Sequence, residues 1–182
     1  FIPELHVYRI LLSWFSCKGI WKEVEVVSND LMQSGFACHE VCDAFIQANL
    51  PDKAAKHLCY AATEGLSISE KLVLDILNAF GTLAKYQEAQ SFVESLDSFF
   101  PDLVSTMREA LIVIFAEFKQ VFAAMDELEK VRKYSKPLNM STYQLLISMF
   151  HDAGLFDHVI LMATDMLSFG IELDEICMNY AN

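Results

Sequence analysis

The sequence predicts an all-α protein, an α-solenoid of stacked antiparallel helix pairs, and three observations carry that prediction. Only 6 Gly and 4 Pro occur in 182 residues, while Ala, Leu, Lys, Glu and Met abound, a composition that favours helices over many short strands. Phe15, Phe45, Phe80, Phe115 and Phe150 recur at intervals of 30, 35, 35 and 35 residues. The same four intervals separate Val24, Ala54, Ala89, Ala124 and Val159; Leu31, Ala61, Leu96, Val131 and Met166; and Gly35, Gly65, Phe100, Ser135 and Gly170. Four registers on one period mark a repeat whose unit cannot bury its apolar faces alone and must stack on its neighbours.

The first unit opens with Tyr8, Leu11, Leu12 and Phe15 at i, i+3, i+4 and i+7, one face of a helix. Gly19 turns the chain, Trp21, Val24 and Leu31 stripe a second helix, and Gly35 ends it. In the second unit the 30-residue interval places a five-residue deletion between Gly35 and Phe45, predicting a shortened connector or first helix. Ile76, Leu77 and Phe80, then Ala89, Val93 and Leu96, stripe the third unit; Leu111, Ile112 and Phe115, then Ala124, Leu128 and Val131, stripe the fourth. Both lack the turn glycines. The fifth has Tyr143, Leu146, Ile147 and Phe150, a break at Asp152-Ala153-Gly154, and Phe156, Val159, Ile160, Ala163 and Met166 on a helix stopping at Ser168-Phe169-Gly170. One repeat domain is expected over residues 5–174, with residues 175–182 starting a further, incomplete repeat.

The longest apolar run, Ala110 to Ala116, falls far short of the roughly 20 residues that cross a bilayer. The chain starts at Phe1 with no leader-like stretch, so it is expected to be a processed or truncated piece of something longer. Five cysteines without framework-like spacing point to free thiols in a reducing compartment. A net charge of −12 opposes non-specific attraction to phosphate, which relies on Lys and Arg releasing counterions. The local exception is the basic cluster Lys130, Arg132, Lys133 and Lys136.

A 35-residue helix pair with Thr142-Tyr143 opening it, Ala153-Gly154 at the turn, and Met166-Leu167-Ser168-Phe169-Gly170-Ile171 followed by Asp174 at the close resembles the pentatricopeptide repeat. The likeness runs from Leu5 to Asp174 as about five units, the second shortened, and is strongest in the first and last. It implies a right-handed solenoid and recognition of single-stranded RNA, one base per repeat, inside a mitochondrion or chloroplast. It further implies that bases are chosen by the fifth and last residues of each repeat. The fifth positions are Arg9, Leu74, Glu109, Gln144 and Asn179, with the second unit's open between His39 and Ala44; the last positions are His39, Ser69, Val104, Asn139 and Asp174. Arg9, His39, Ser69, Asn139, Gln144, Asp174 and Asn179 are therefore the candidate RNA contacts. Leu74 with Val104 has nothing to offer a base edge, and Glu109 would repel phosphate.

Two readings of function follow: a non-catalytic RNA-binding module of an organellar protein of RNA metabolism, or a scaffold segment holding protein partners in an organellar gene-expression assembly. Neither needs a cofactor or metal. Cys38, His39, Cys42, His57 and Cys59 match no common finger spacing, and with Cys38 and Cys42 flanking the deletion they read as core or surface thiols. His151-Asp152 and Asp157-His158 read as polar turn residues, with His158 on an exposed face, and no phosphate loop, dinucleotide fingerprint or nucleophile elbow occurs. No enzyme activity is expected. The cluster from Lys130 to Lys136 ends a second helix, where cations complement the helix dipole; its functional alternative is contact with a phosphate or an acidic partner.

Overall fold

The structure, a computed structural model, describes residues 3–134 and 136–172. Among the described residues it consists of ten α-helices and no strand: α1 (Leu5–Cys17), α2 (Trp21–Gln33), α3 (Cys38–Gln47), α4 (Pro51–Thr63), α5 (Glu70–Thr82), α6 (Tyr86–Leu96), α7 (Val104–Glu117), α8 (Val121–Arg132), α9 (Met140–Asp152) and α10 (Phe156–Ser168). The chain forms two compact units, Phe1–Leu103 and Val104–Asn182. In the first, α1 packs on α2, α3 on α4 and α5 on α6, and the pairs stack through α1 on α3, α3 on α5, and α4 on α5 and α6. In the second, α7 packs on α8 and α9 on α10, with α7 stacked on α9.

The periodic residues form the cores. Phe45, Phe80, Phe115 and Phe150 are buried, as are all members of the Val24 and Leu31 series. Full burial of such a side chain stabilises by about 1.5–3 kcal/mol relative to exposure. The stripes are narrower than the sequence suggested. Trp21, Phe156 and Ile160, expected on buried faces, are more than half exposed. They lie at the edge of the 3.6-residue stripe, in the first or second turn of a second helix, where it meets solvent; Met162 joins Val159, Ala163 and Met166 in the core instead.

The turn inside each pair repeats more faithfully than its residues do. Gly19, Asn49, Ala84, Lys119 and Gly154 occupy equivalent places, and all have φ between 54° and 72°. In each unit the N–H one residue later donates to the carbonyl of the periodic phenylalanine: Ile20 to Phe15, Leu50 to Phe45, Lys85 to Phe80, Gln120 to Phe115 and Leu155 to Phe150, at 2.8–3.0 Å. This is the six-to-one bond of a Schellman cap, which needs a left-handed residue whatever its side chain. Ala84, at φ 56° and exposed, holds that conformation against its Cβ. Ala84→Gly is accordingly expected to stabilise the protein by about 1 kcal/mol, read as a higher urea midpoint with unchanged slope.

The five-residue deletion is divided between two elements. Phe45 is the eighth residue of α3, whereas Phe80 is the eleventh of α5, so three residues are missing from the helix. Left-handed Gly35 lies three residues before α3, and Gly65 five before α5, which accounts for the other two. Cys38 and Cys42 therefore do not flank the deletion: both lie beyond it, one turn apart on α3. Among the described residues no helix is long and apolar enough to cross a membrane.

Candidate nucleic-acid interface

The fifth and last positions of a unit are 30 residues apart in the second and fourth units, yet the fold brings them together. In the first compact unit, shared alignment on Phe45 puts His39 in the fifth-position register of Glu109 and Gln144, and it is exposed, whereas Ala44 is fully buried. His39 and Ser69 line one cavity of about 450 Å3 between the starts of α3 and α5, together with Phe36, Ala37, Leu66 and Ile68. Ser69 is the N-cap of α5, its Oγ accepting from the Leu72 N–H at 3.3 Å, and its O–H can still donate outward. The N-cap place before α3 belongs to Ala37, two residues before His39.

In the second compact unit the equivalent pair is in contact. Glu109 Oε1 accepts from the Asn139 backbone N–H at 2.6 Å and from Thr142 Oγ1 at 2.8 Å. The carboxylate thus caps the N-terminus of α9, where unpaired N–H groups and the helix dipole favour a negative charge. Asn139 is the N-cap residue, but its side chain makes no capping bond and is exposed. Glu109 was expected to repel phosphate; its Oε1 is also taken up by α9.

The remaining candidates are placed less favourably. Arg9 is half-buried, with its Nε lacking an acceptor among the described residues. Gln144 is half-buried on α9, Leu74 is half-buried on α5, and Val104 is buried at the start of α7. Asp174 and Asn179 lie outside the described residues.

The basic cluster splits into spent and open charges. Lys130 Nζ lies 2.7 Å from Glu127 and 3.5 Å from Asp126, and the Glu127 carboxylate holds its pKa above the usual lysine value. Arg132 pairs with Asp165 of α10. Lys133 and Lys136 are exposed in the connector leading to Asn139. Elsewhere Lys53 pairs with Glu25, Lys85 with Asp52 and Lys119 with Asp152, which ties successive helix pairs together within each unit and leaves fewer cations for phosphate.

The turn of the last unit is a packing feature. His158 is not on an exposed face; its ring lies 5.2 Å from that of Phe150, while His151 meets Phe156 edge to face at 5.7 Å. Among the described residues no group of three His, Cys, Asp or Glu side chains converges to hold a metal.

Comparison of the sequence with models of protein families and with curated proteins gives no match. Among solved structures, the crystal structure of the pentatricopeptide repeat protein PPR10 from maize matches all of this chain, with a TM-score of 0.63 and 17% sequence identity. The chain spans 27% of that protein's length. At that identity the likeness speaks to fold, and it agrees with the 35-residue period, the shared left-handed turn and the stacked pairs: the chain has a pentatricopeptide-like helical-repeat fold.

Proposed function

We propose that this segment is a non-catalytic helical-repeat module that binds single-stranded RNA, within an organellar protein of RNA metabolism or gene expression. The observation that carries the reading is the pairing of fifth and last positions: His39 with Ser69 along one cavity, and Glu109 against Asn139. A cleft between successive first helices, as at His39 and Ser69, is a place where one base per repeat could be read. The organellar setting is carried by the family resemblance.

The pairs differ in what they offer. His39 and Ser69 present an imidazole and a hydroxyl, each able to donate and accept, on the walls of an open cavity; the strongest base contact is expected there. Glu109 offers no donor, and its carboxylate is held by α9. Lys133 and Lys136 supply phosphate contacts. Fluorescence anisotropy with homopolymeric single-stranded RNAs tests this division. His39→Ala is expected to weaken binding unequally across bases, by about 1 kcal/mol for the preferred one. Lys133→Ala/Lys136→Ala is expected to weaken all of them alike and to flatten the salt dependence by about 1.4 log units per log unit, for two phosphate contacts on a single strand. An equal response of every base to His39→Ala would remove the cavity from the reading surface.

A further inference from the structure

Aligned on the phenylalanine period, one place on the first helix holds Tyr8, Cys38, Val73, Arg108 and Tyr143, and a facing place on the second holds Val27, His57, Phe92, Glu127 and Met162. In three units the two places carry apolar or aromatic side chains. In the fourth they carry a buried ion pair, Arg108 to Glu127 at 2.6 Å. In the second they carry a thiol and an imidazole, Cys38 and His57, and the imidazole favours the Cys38 thiolate electrostatically. One turn further along α3, Cys42 fills the core place that Leu12, Leu77, Ile112 and Ile147 fill elsewhere, and its sulfur lies 3.9 Å from that of Cys38. Cys38 is half-buried and lines the same cavity as His39 and Ser69, so it is open to small solutes.

The geometry points to a modification site: Cys38 and Cys42 form an oxidisable dithiol in which Cys38 attacks a hydroperoxide and Cys42 closes the disulfide. The Cys38 thiolate attacks the terminal oxygen of the hydroperoxide and forms an S–O bond as the O–O bond breaks; the other oxygen leaves with that electron pair as an alkoxide or hydroxide, and sulfur is oxidised by two electrons to the sulfenic acid. Cys42 sulfur then displaces that hydroxyl, its own proton leaving with it as water.

The electrostatics favour this order of events. The Cys42 S–H donating to Cys38, with the His57 and His39 imidazoles favouring the thiolate, lowers the Cys38 pKa to about 5 despite partial burial. Cys42 is pushed the other way, by that same bond and by burial, and stays protonated. Residues one turn apart on a helix have Cα atoms about 6 Å apart, inside the disulfide window of about 4.4–6.8 Å. Closing the sulfurs from 3.9 Å to about 2.05 Å still requires movement. Cys38 is the first residue of α3 and its N–H is outside the helical ladder, so the movement is confined to the first turn. The resulting bridge is strained and readily reduced. Because that turn carries His39, oxidation would also disturb the His39–Ser69 cleft, a consequence that rests on the RNA reading; the dithiol chemistry does not.

Peptide mass spectrometry of the full chain after graded hydrogen peroxide tests the site, with folding followed by far-UV circular dichroism and exposed Cys17 as the internal reference thiol. The expected product is a Cys38–Cys42 disulfide, formed before Cys17 is oxidised and reopened by dithiothreitol. At about pH 5.5 Cys38 is expected to alkylate roughly tenfold faster than Cys17, since its larger thiolate fraction outweighs its lower intrinsic nucleophilicity. Two variants use side chains already present at these places in other units. Cys42→Leu is expected to accumulate Cys38 sulfenic acid trappable by a 1,3-diketone, and His57→Phe to slow Cys38 alkylation at least severalfold. A folded wild-type chain in which peroxide leaves Cys38 and Cys42 unlinked, or in which Cys38 alkylates no faster than Cys17, overturns the assignment.

Discussion

Replacing Glu127 by alanine is expected to destabilise the second compact unit by about 3–5 kcal/mol, because it breaks a buried ion pair and takes the Glu127 carboxylate away from the buried Arg108 guanidinium. Glu127 is fully buried between α7 and α8, accepting from Arg108 Nη1 at 2.6 Å through one oxygen and from Lys130 Nζ at 2.7 Å through the other. Lys130 is about one-third exposed and can turn to water or to Asp126, whereas Arg108 is buried. The distinguishing variant replaces both partners, Arg108→Met with Glu127→Leu, and is expected to recover most of the loss or exceed wild type. An apolar pair of similar volume avoids the desolvation of two charges. Chemical denaturation checks both, and the double variant separates loss of a charge pair from loss of packing.

Phe80→Ala is expected to cost about 3–5 kcal/mol in the first compact unit. Phe80 is buried on α5, its ring 6.0 Å from that of Phe92 on α6, and its backbone carbonyl receives the Lys85 N–H that closes the turn. Leu77 and Val93 are fully buried close by in sequence on the same two helices, and rigid stripes on both sides limit collapse into the void. In a stacked array each pair is stabilised by its neighbours, so the loss is expected to propagate to α3 and α4, which pack on α5. Hydrogen exchange would show this as faster exchange in α3 to α6. Loss confined to α5 would indicate that the pairs fold independently.

How much of this was readable beforehand differs by feature. The period located every helix pair, because a repeat needs its buried face at the same place each time, and Phe45, Phe80, Phe115 and Phe150 are all buried as that logic requires. The turns at Asn49, Ala84 and Lys119 could not be recognised by glycine, yet they keep the same left-handed backbone and the same bond to the phenylalanine carbonyl. Stacking neighbours outweigh the local preference of a single residue there. Stripe edges were overextended at Trp21, Phe156 and Ile160, since hydrophobicity marks a face but not where solvent begins.

The candidate interface was legible as positions and less so as chemistry. His39 counts as a last position from Gly35 and as a fifth from Phe45, because the deletion is divided between connector and helix. Glu109 reads as a repulsive charge in the sequence; its use as the cap of α9 depends on a partner 30 residues away. Cys38 and His57 looked like scattered thiol and imidazole until the registers placed them where Arg108 and Glu127 meet in the fourth unit.

The most direct measurement of the central claim is binding of the wild-type segment to labelled single-stranded RNA, by filter retention, from low to physiological salt. Saturable binding is predicted, with log affinity falling linearly against log salt and a marked preference for single strands over duplex. No retention of single-stranded RNA even at low salt, by a chain shown to be folded, would contradict the account and favour a protein-scaffold role for this segment.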